Sequence, residues 1–410
     1  MTRQTWRSVL DGRLDHAVSA MAELADSRPG NPKAQALFDQ FAAADPRAVR
    51  RAGSLITRPL PVRHPDSLAF APDLCEFAVL GRLGQRNRVE MFDLPTGEPR
   101  DSFLLRPDRE GDPLYRDVVH LGDAIVVTES YNGPRNHLSI VRYRRPGWVR
   151  EVIAEPTSWF YPGMAAVPGG FIVGGAGEFL IGSGDGPIRQ APADGDVTVL
   201  AGDPISGRVA VTIRPTFPEP PSFAVLDPDL RVVARHTARS ETDEVAIAWF
   251  CGPDRVLTCG MWKYLRAWEA VGGELVQQGG EYLPKYELQF PTHQFPLGLT
   301  YVPGHDLVAL EFPAAPPRWY DPARLDRVEA PDPFGKQGFP LWISPGGEYA
   351  LLEDHDGVLE LADLRLANLV TRPMAGLGPA DLEPLARREG QLDDDAKLVL
   401  SLLRARLAYV

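Results

Sequence analysis

Cysteine is scarce: Cys75, Cys251 and Cys259 are the only three in 410 residues. Three thiols at these spacings cannot close a disulfide set, match no zinc pattern and have no histidine near them in sequence. Each sits in or beside apolar, strand-like sequence, which predicts three buried, reduced side chains. Long hydrophobic runs are missing as well. No stretch reaches the ~18 apolar residues of a membrane span, and Met1-Thr2-Arg3-Gln4-Thr5-Trp6 opens no signal-peptide core. A cytoplasmic protein with no membrane partner is the expectation. Positive charge is in deficit, with 43 Lys and Arg against 55 Asp and Glu for a net charge of -12. Such a surface repels a phosphate backbone, so nucleic acid is not the expected partner.

Catalytic signatures are equally thin. There is no P-loop, no HExxH, no GxSxG nucleophile elbow and no Asp box. Asp354-His355-Asp356-Gly357 is the string most like a metal site, but Asp-Gly before a strand is ordinary hairpin chemistry and the rest of an EF-hand loop is absent. Gly174-Gly175-Ala176-Gly177 and Gly182-Ser183-Gly184-Asp185-Gly186 open no helix and read as turns, not phosphate cradles. The histidines are singly placed, as surface or satisfied core residues are. No metal, no cofactor and no enzymatic activity are expected from these signals.

What the chain has in quantity is turn chemistry: 40 prolines and 38 glycines, set between short apolar runs. One unit recurs, a short apolar strand, a tight Pro/Gly/Asp turn and a second apolar strand. Leu68-Ala69-Phe70-Ala71-Pro72-Asp73 before Glu76-Phe77-Ala78-Val79-Leu80 is the first case. Leu341-Trp342-Ile343-Ser344-Pro345-Gly346-Gly347 before Glu348-Tyr349-Ala350-Leu351-Leu352 is the last. Second strands begin near residues 76, 124, 171, 208, 255, 306 and 348, a period of about 45 that suits propeller blades of four strands. Third and fourth strands follow in most units, as in Arg88 to Leu94 and then Ser102 to Leu105. The third unit, glycine-rich from Gly163 to Gly195, offers no clear third strand, which leaves a six-bladed or irregular ring open.

Units one and seven resemble WD40-type repeats. The resemblance rests on the Ser344 to Gly347 turn, on Asp354-His355-Asp356-Gly357 before a strand, and on strands ending in Asp-Leu. It spans Asp66 to Met374. The Gly-His pair is missing, and Phe92 or Ala362 stands where Trp-Asp would begin, so the resemblance is to the WD40-like superfamily at large. It implies an all-β fold, a β-propeller of about seven blades.

Ser54-Leu55-Ile56-Thr57-Arg58-Pro59-Leu60 and Asn368-Leu369-Val370-Thr371-Arg372-Pro373-Met374 are similar strands, one of which is expected to complete the last sheet and remove an open edge. Helices are expected at both ends. Trp6, Val9, Leu10, Leu14, Val18, Met21 and Leu24 recur at helical steps, and Asn31-Pro32 caps a second helix through Phe38 and Phe41. Asp393-Asp394-Asp395 opens another, carrying Leu398, Val399, Leu402, Leu403 and Leu407. The expected organisation is a helical segment at 1–52, a propeller at 53–376 and a helical segment at 377–410 that packs with the first or on another protein.

In a propeller, the connections between blades and those between second and third strands share one face. Here they are aromatic: Trp159, Phe160 and Tyr161; Tyr286, Phe290 and His293; Phe334 and Phe339; then Tyr131, Phe217, Trp262, Tyr264 and Trp319. Aromatics between Pro and polar residues suit a binding hot spot. Trp159, Phe160, Tyr161, Trp262, Tyr264, Tyr286, Phe290, His293 and Phe334 are the candidate binding residues. The expected function is a non-catalytic scaffold or regulatory subunit that binds protein partners. The alternative is a propeller hydrolase or lactonase with a metal-centred channel.

Overall fold

The computed structural model describes most of residues 56–364, interrupted chiefly at 108–112, 132–136, 157–162, 216–218, 240–244, 261–263, 283–298, 330–338 and 354–357. It also describes Pro32, residues 378–387 and 389–391, and Lys397, Leu400, Ser401 and Arg404.

Twenty-seven strands are described, and they pair as blades of four. Blade 1 is β2 (Ser67–Phe70), β3 (Glu76–Leu83), β4 (Arg86–Asp93) and β5 (Pro99–Leu104). Blade 2 is β6 (Leu114–His120), β7 (Ala124–Tyr131), β8 (His137–Arg144) and β9 (Val149–Ala154). Blade 3 runs from β10 (Met164–Val167) through β11 (Gly170–Gly174) and β12 (Ala176–Ser183) into β13 (Arg189–Gly202). Blade 4 adds β14 (Val209–Arg214), β15 (Ser222–Leu226) and β16 (Val232–Thr237). Blade 5 is β17 (Val245–Phe250), β18 (Arg255–Gly260), β19 (Tyr264–Val271) and β20 (Glu274–Tyr282). Blade 6 is β21 (Leu299–Val302), β22 (Leu307–Phe312), β23 (Ala315–Tyr320) and the short β24 (Arg327–Val328). Blade 7 is β25 (Phe339–Ile343), β26 (Tyr349–Glu353) and β27 (Val358–Asp363), completed by β1 (Ile56–Arg63).

The fold is a seven-bladed β-propeller. Second strands carry an unbroken apolar run because a neighbouring blade covers each side: Ala124 to Val127 in β7 are fully buried. Outer strands have one solvated side and turn polar, as β5 does. Apolar clusters fill the gaps between blades. Phe77, Val79 and Phe92 of blade 1 meet Tyr349 and Leu351 of blade 7 over Leu60 and Val62 of β1, and Val119 and Val126 of blade 2 meet Phe171 and Val173 of blade 3. Clusters of this kind bridge each of the seven blade pairs, so the ring is closed. Pairing of β1 with β27, Thr57 opposite Ala362, covers an edge that would otherwise stay open. The similar segment Asn368 to Met374 lies outside the described residues.

Two expectations change, and the ring has the seven blades expected. The third unit does have a third strand, β12, which removes the six-bladed alternative. Glycine-rich sequence hid this strand: Gly182 sits on the ring of Phe171, and a Cβ there would come within 2.2 Å of its Cζ. The fourth strand was hidden because β13 serves two blades. Its first half pairs with β12, Phe179 opposite Ala191, and its second half pairs with β14, Thr198 opposite Thr212. Blades 3 and 4 therefore share one continuous strand, which shortens the repeat there. Cys75 is exposed, not buried, because it lies in the turn between β2 and β3; Cys251 and Cys259 are buried.

At the C-terminal end, α1 (Pro379–Arg387) precedes the helix read from sequence. Proline at its first position suits a helix start. Leu382 and Leu400 are buried, and Arg404 donates two hydrogen bonds to Glu389 at 3.0 and 2.9 Å. Apart from Pro32, which is helical, the N-terminal helices lie outside the described residues. No helix among the described residues is long and apolar enough to cross a membrane.

Candidate functional site

Strand direction divides the ring into two faces. Connections from a blade's outer strand to the next blade, and from second to third strands, leave from one face; the remaining tight turns lie on the other. The described outer strands β9, β20 and β24 end, and the inner strands β10, β21 and β25 begin, on the first face. Trp159, Phe160, Tyr161, Trp262, Tyr286, Phe290, His293, Phe334 and Phe217 themselves lie outside the described residues, as does Asp354 to Gly357. Phe339 begins β25, with its side chain outside the description. Trp319 is corrected: it is a fully buried core residue in β23, packed between blades 6 and 7.

Tyr264 is described, and it marks a polar seam on this face, between blades 4 and 5. It begins β19, opposite Tyr282. Side chains alternate along a strand, so Tyr264, Arg266 and Trp268 share a side. That side faces blade 4: Trp268 lies 6.4 Å from the ring of Phe223 and 4.6 Å from that of His236. Arg266 places its guanidinium 4.5 Å from the centre of the Tyr264 ring, a cation–π arrangement. Beneath it, the Trp268 indole N–H donates to Thr258 Oγ1 at 2.8 Å; both residues are buried.

Blade 4 supplies the opposite wall. Thr212, Phe223 and His236 stand side by side across β14, β15 and β16, with Arg214 one step nearer the face. A small cavity of about 10 Å³ opens between Arg214, Thr212, Ser222, His236 and Val245, room for one water-sized group. None of the described lining residues is acidic. Sequence reasoning found Tyr264 by its aromatic loop position. It missed Arg266, His236, Thr212 and Arg214, which come together only through register across a seam.

A second polar group closes the seam between blades 1 and 2. Glu129 is fully buried and accepts from the Tyr115 hydroxyl at 3.4 Å, from Tyr131 and from Arg150 at 3.3 Å. Burial, with Glu129 adding to it, pushes the Tyr115 phenol well above its ordinary value, so it stays a protonated donor.

On the opposite face Glu76 and His120 meet across the same two blades. Gly122 N–H donates to His120 Nδ1 at 3.0 Å, which leaves the proton on Nε2, and Nε2 donates to Glu76 Oε1 at 3.1 Å. Arg145 clamps the same carboxylate at 2.7 and 3.0 Å. Burial lowers the His120 pKa to about 4 against the pull of Glu76. Burial works to raise Glu76, but Arg145, His120 and Arg100 outweigh it and hold the carboxylate below its usual range. Neighbouring Cys75 is no nucleophile partnered by His120: both imidazole nitrogens are engaged, and Asp73 and burial raise the thiol's pKa. Among the described residues, no group of His, Cys, Asp and Glu is arranged to hold a metal ion.

No protein-family model matches the chain, and no curated protein matches it. Among solved structures, a chain of a crystal structure of the mitotic checkpoint complex is similar at 14% identity and a TM-score of 0.47, over 76% of this chain and 92% of that one.

Proposed function

We propose that this protein is an interaction scaffold that holds protein partners on the face carrying the interblade connections. The reading rests on one observation above others. Tyr264, half-buried, stacks on the guanidinium of the buried Arg266 at the face end of the blade 4–5 seam, on a wall fixed by the buried Trp268 and Thr258. Tyrosine and arginine on a rigid base are the residues that dominate binding energy in protein interfaces, because they bury large area with little loss of rotamer freedom. That the aromatic segments follow an outer strand and precede an inner one in sequence supports the same face for them, which would enlarge the surface available to a partner. A ring whose seven interblade gaps are packed apolar presents that surface without an ordering cost.

The test is affinity capture from native lysate with the intact protein and with a variant carrying Trp159→Ala, Tyr286→Ala and Phe290→Ala. A partner retained by the intact protein and lost by the variant, with unchanged circular dichroism and Tm, supports the reading. Retention of the same partner by the variant places binding elsewhere and refutes it. A stoichiometric divalent ion in the purified protein would favour a hydrolase instead.

A further inference from the structure

We infer that the face opposite the interblade connections is closed by the chain itself: the amphipathic segment at residues 4–26 docks over three aromatic side chains beside the mouth of the central channel. The inference goes beyond the scaffold reading and does not rest on it. It starts from the inner strands, which border the channel of a propeller and end at this face. Trp249, Tyr301 and Trp342 each stand one residue before the end of an inner strand, in β17, β21 and β25. They occupy one level on three consecutive blades, 5, 6 and 7. Ala69, Val119 and Ala166 hold the same position in blades 1, 2 and 3, so the aromatic surface is confined to one side of the mouth.

The three rings are half-buried. Trp249 and Tyr301 rest on the apolar cluster between blades 5 and 6, and Trp342 rests on the cluster between blades 7 and 1. The Tyr301 hydroxyl donates to Asp306 Oδ1 at 2.9 Å, which fixes its ring. What these side chains leave open is a rigid aromatic surface, of the kind an apolar helix stripe packs against.

Chain geometry selects the occupant. Trp342, Leu351, Leu361 and Arg58 stand in one row across the four strands of blade 7. At ~4.8 Å per strand spacing, Arg58 of β1 lies about 14 Å from Trp342. The first strand starts at this face, because Ile56 pairs with Asp363 at the end of the third strand of the blade. Residues 1–55 therefore join the ring next to the aromatic side of the mouth, and residues 27–55 span that distance with chain to spare. A helix carrying the stripe from Trp6 to Leu24 is marginal alone in water and needs a surface to cover. The C-terminal segment is the poorer fit. Its Leu382 and Leu400 are already buried, and they belong to none of the seven interblade clusters.

Two experiments on the purified full chain test the inference, and neither involves a partner. In the first, p-benzoylphenylalanine replaces Trp6 and crosslinked peptides are mapped by mass spectrometry. The expected result is an intrachain crosslink to a peptide holding Trp249, Tyr301 or Trp342. Crosslinks confined to residues 377–410 or to the connection face, crosslinks to a second copy of the chain, and the absence of any crosslink each overturn it.

The second is hydroxyl-radical footprinting of the intact chain and of a variant carrying Leu10→Asp and Leu14→Asp, changes that spoil the stripe without touching the ring. Oxidation of Trp249, Tyr301 and Trp342 should rise several-fold in the variant, while the buried Trp268 stays protected. Equal oxidation of the three in both chains, with Trp268 protected, overturns the inference. Oxidation of Trp268 as well would mark a ring that has opened, and the crosslink from position 6 then decides.

Discussion

Glu76 and His120 belong to different blades, 44 positions apart, and share one hydrogen bond of 3.1 Å in which the imidazole is the donor. Both side chains are buried, His120 completely and Glu76 nearly so, under the turns of blades 1 and 2, with Arg145 on the open side. A neutral histidine and an ionised glutamate are thus built into a seam of the ring, and their titration is coupled to folding.

Acid should loosen this seam. The His120 pKa is lowered to about 4 in the folded protein, against ~6.5 when unfolded. The unfolded chain therefore binds the proton more readily. Stability from this group is complete above pH ~6.5 and is lost as pH falls toward 4. The full loss is about 3 kcal/mol by the size of the shift. Glu76, held below its usual range, adds a further loss at lower pH still. Urea denaturation from pH 7.5 to 4.5 should show a falling midpoint, and His120→Asn should flatten that fall.

Removing the Glu76 charge should be costly. Glu76→Gln leaves Arg145 beside a neutral amide and deprives His120 of an ionised acceptor, and breaking a buried pair by neutralising one partner costs about 3–5 kcal/mol. Arg145 is about one-third exposed, which places the expected value at or below the lower end. The measurement is the denaturation midpoint at pH 7; a change within experimental error would contradict the clamp.

Gly163 should tolerate no side chain. It precedes β10 with a φ of +66°, and a Cβ there would come within 2.0 Å of the Val199 carbonyl oxygen of β13. Backbone cannot yield as a side-chain tip can. Gly163→Ala combines left-handed strain with overpacking, so a loss of about 2 kcal/mol or more is expected. Gly169→Ala, at a similar φ of +75° but with open space around it, should lose less. Equal effects would show that strain alone matters and that the close approach to β13 is absent.

Thiol reactivity should divide one against two. Cys75 is exposed while Cys251 and Cys259 are buried, and burial pushes the Cys251 thiol far above its ordinary value. Under native conditions Ellman's reagent should titrate a single thiol, slowly because the Cys75 pKa is itself raised. All three should react in denaturant. Native loss of that signal in Cys75→Ser confirms the assignment.

The repeat was legible because each second strand is buried on both sides and so must be an apolar run next to a turn. Starts expected near 76, 124, 171, 208, 255, 306 and 348 fall within one residue of those of β3, β7, β11, β14, β18, β22 and β26. Blade 3 was obscured by Gly182, where the close-packed Phe171 ring excludes a side chain and dilutes the strand pattern. The shared strand β13 defeats any reading that gives each blade four strands of its own. Site residues were harder. Tyr264 stands out in sequence as an aromatic beside a turn, whereas Arg214, His236 and Trp268 sit in ordinary strand positions. Only the register of two sheets brings them together. Trp319 was misplaced for the complementary reason: an aromatic near a turn was taken as surface, while β23 turns it into the core between two blades.

The most direct test of the account compares the two faces of the ring by crosslinking. A photoreactive p-benzoylphenylalanine is placed at Tyr264, on the interblade-connection face, or at Ile205, which is 70% exposed on the turn between β13 and β14 on the opposite face. The account predicts a crosslinked partner from position 264 and none from 205. Crosslinking to the same partner from 205 alone would contradict it and move the interaction surface to the other side of the ring.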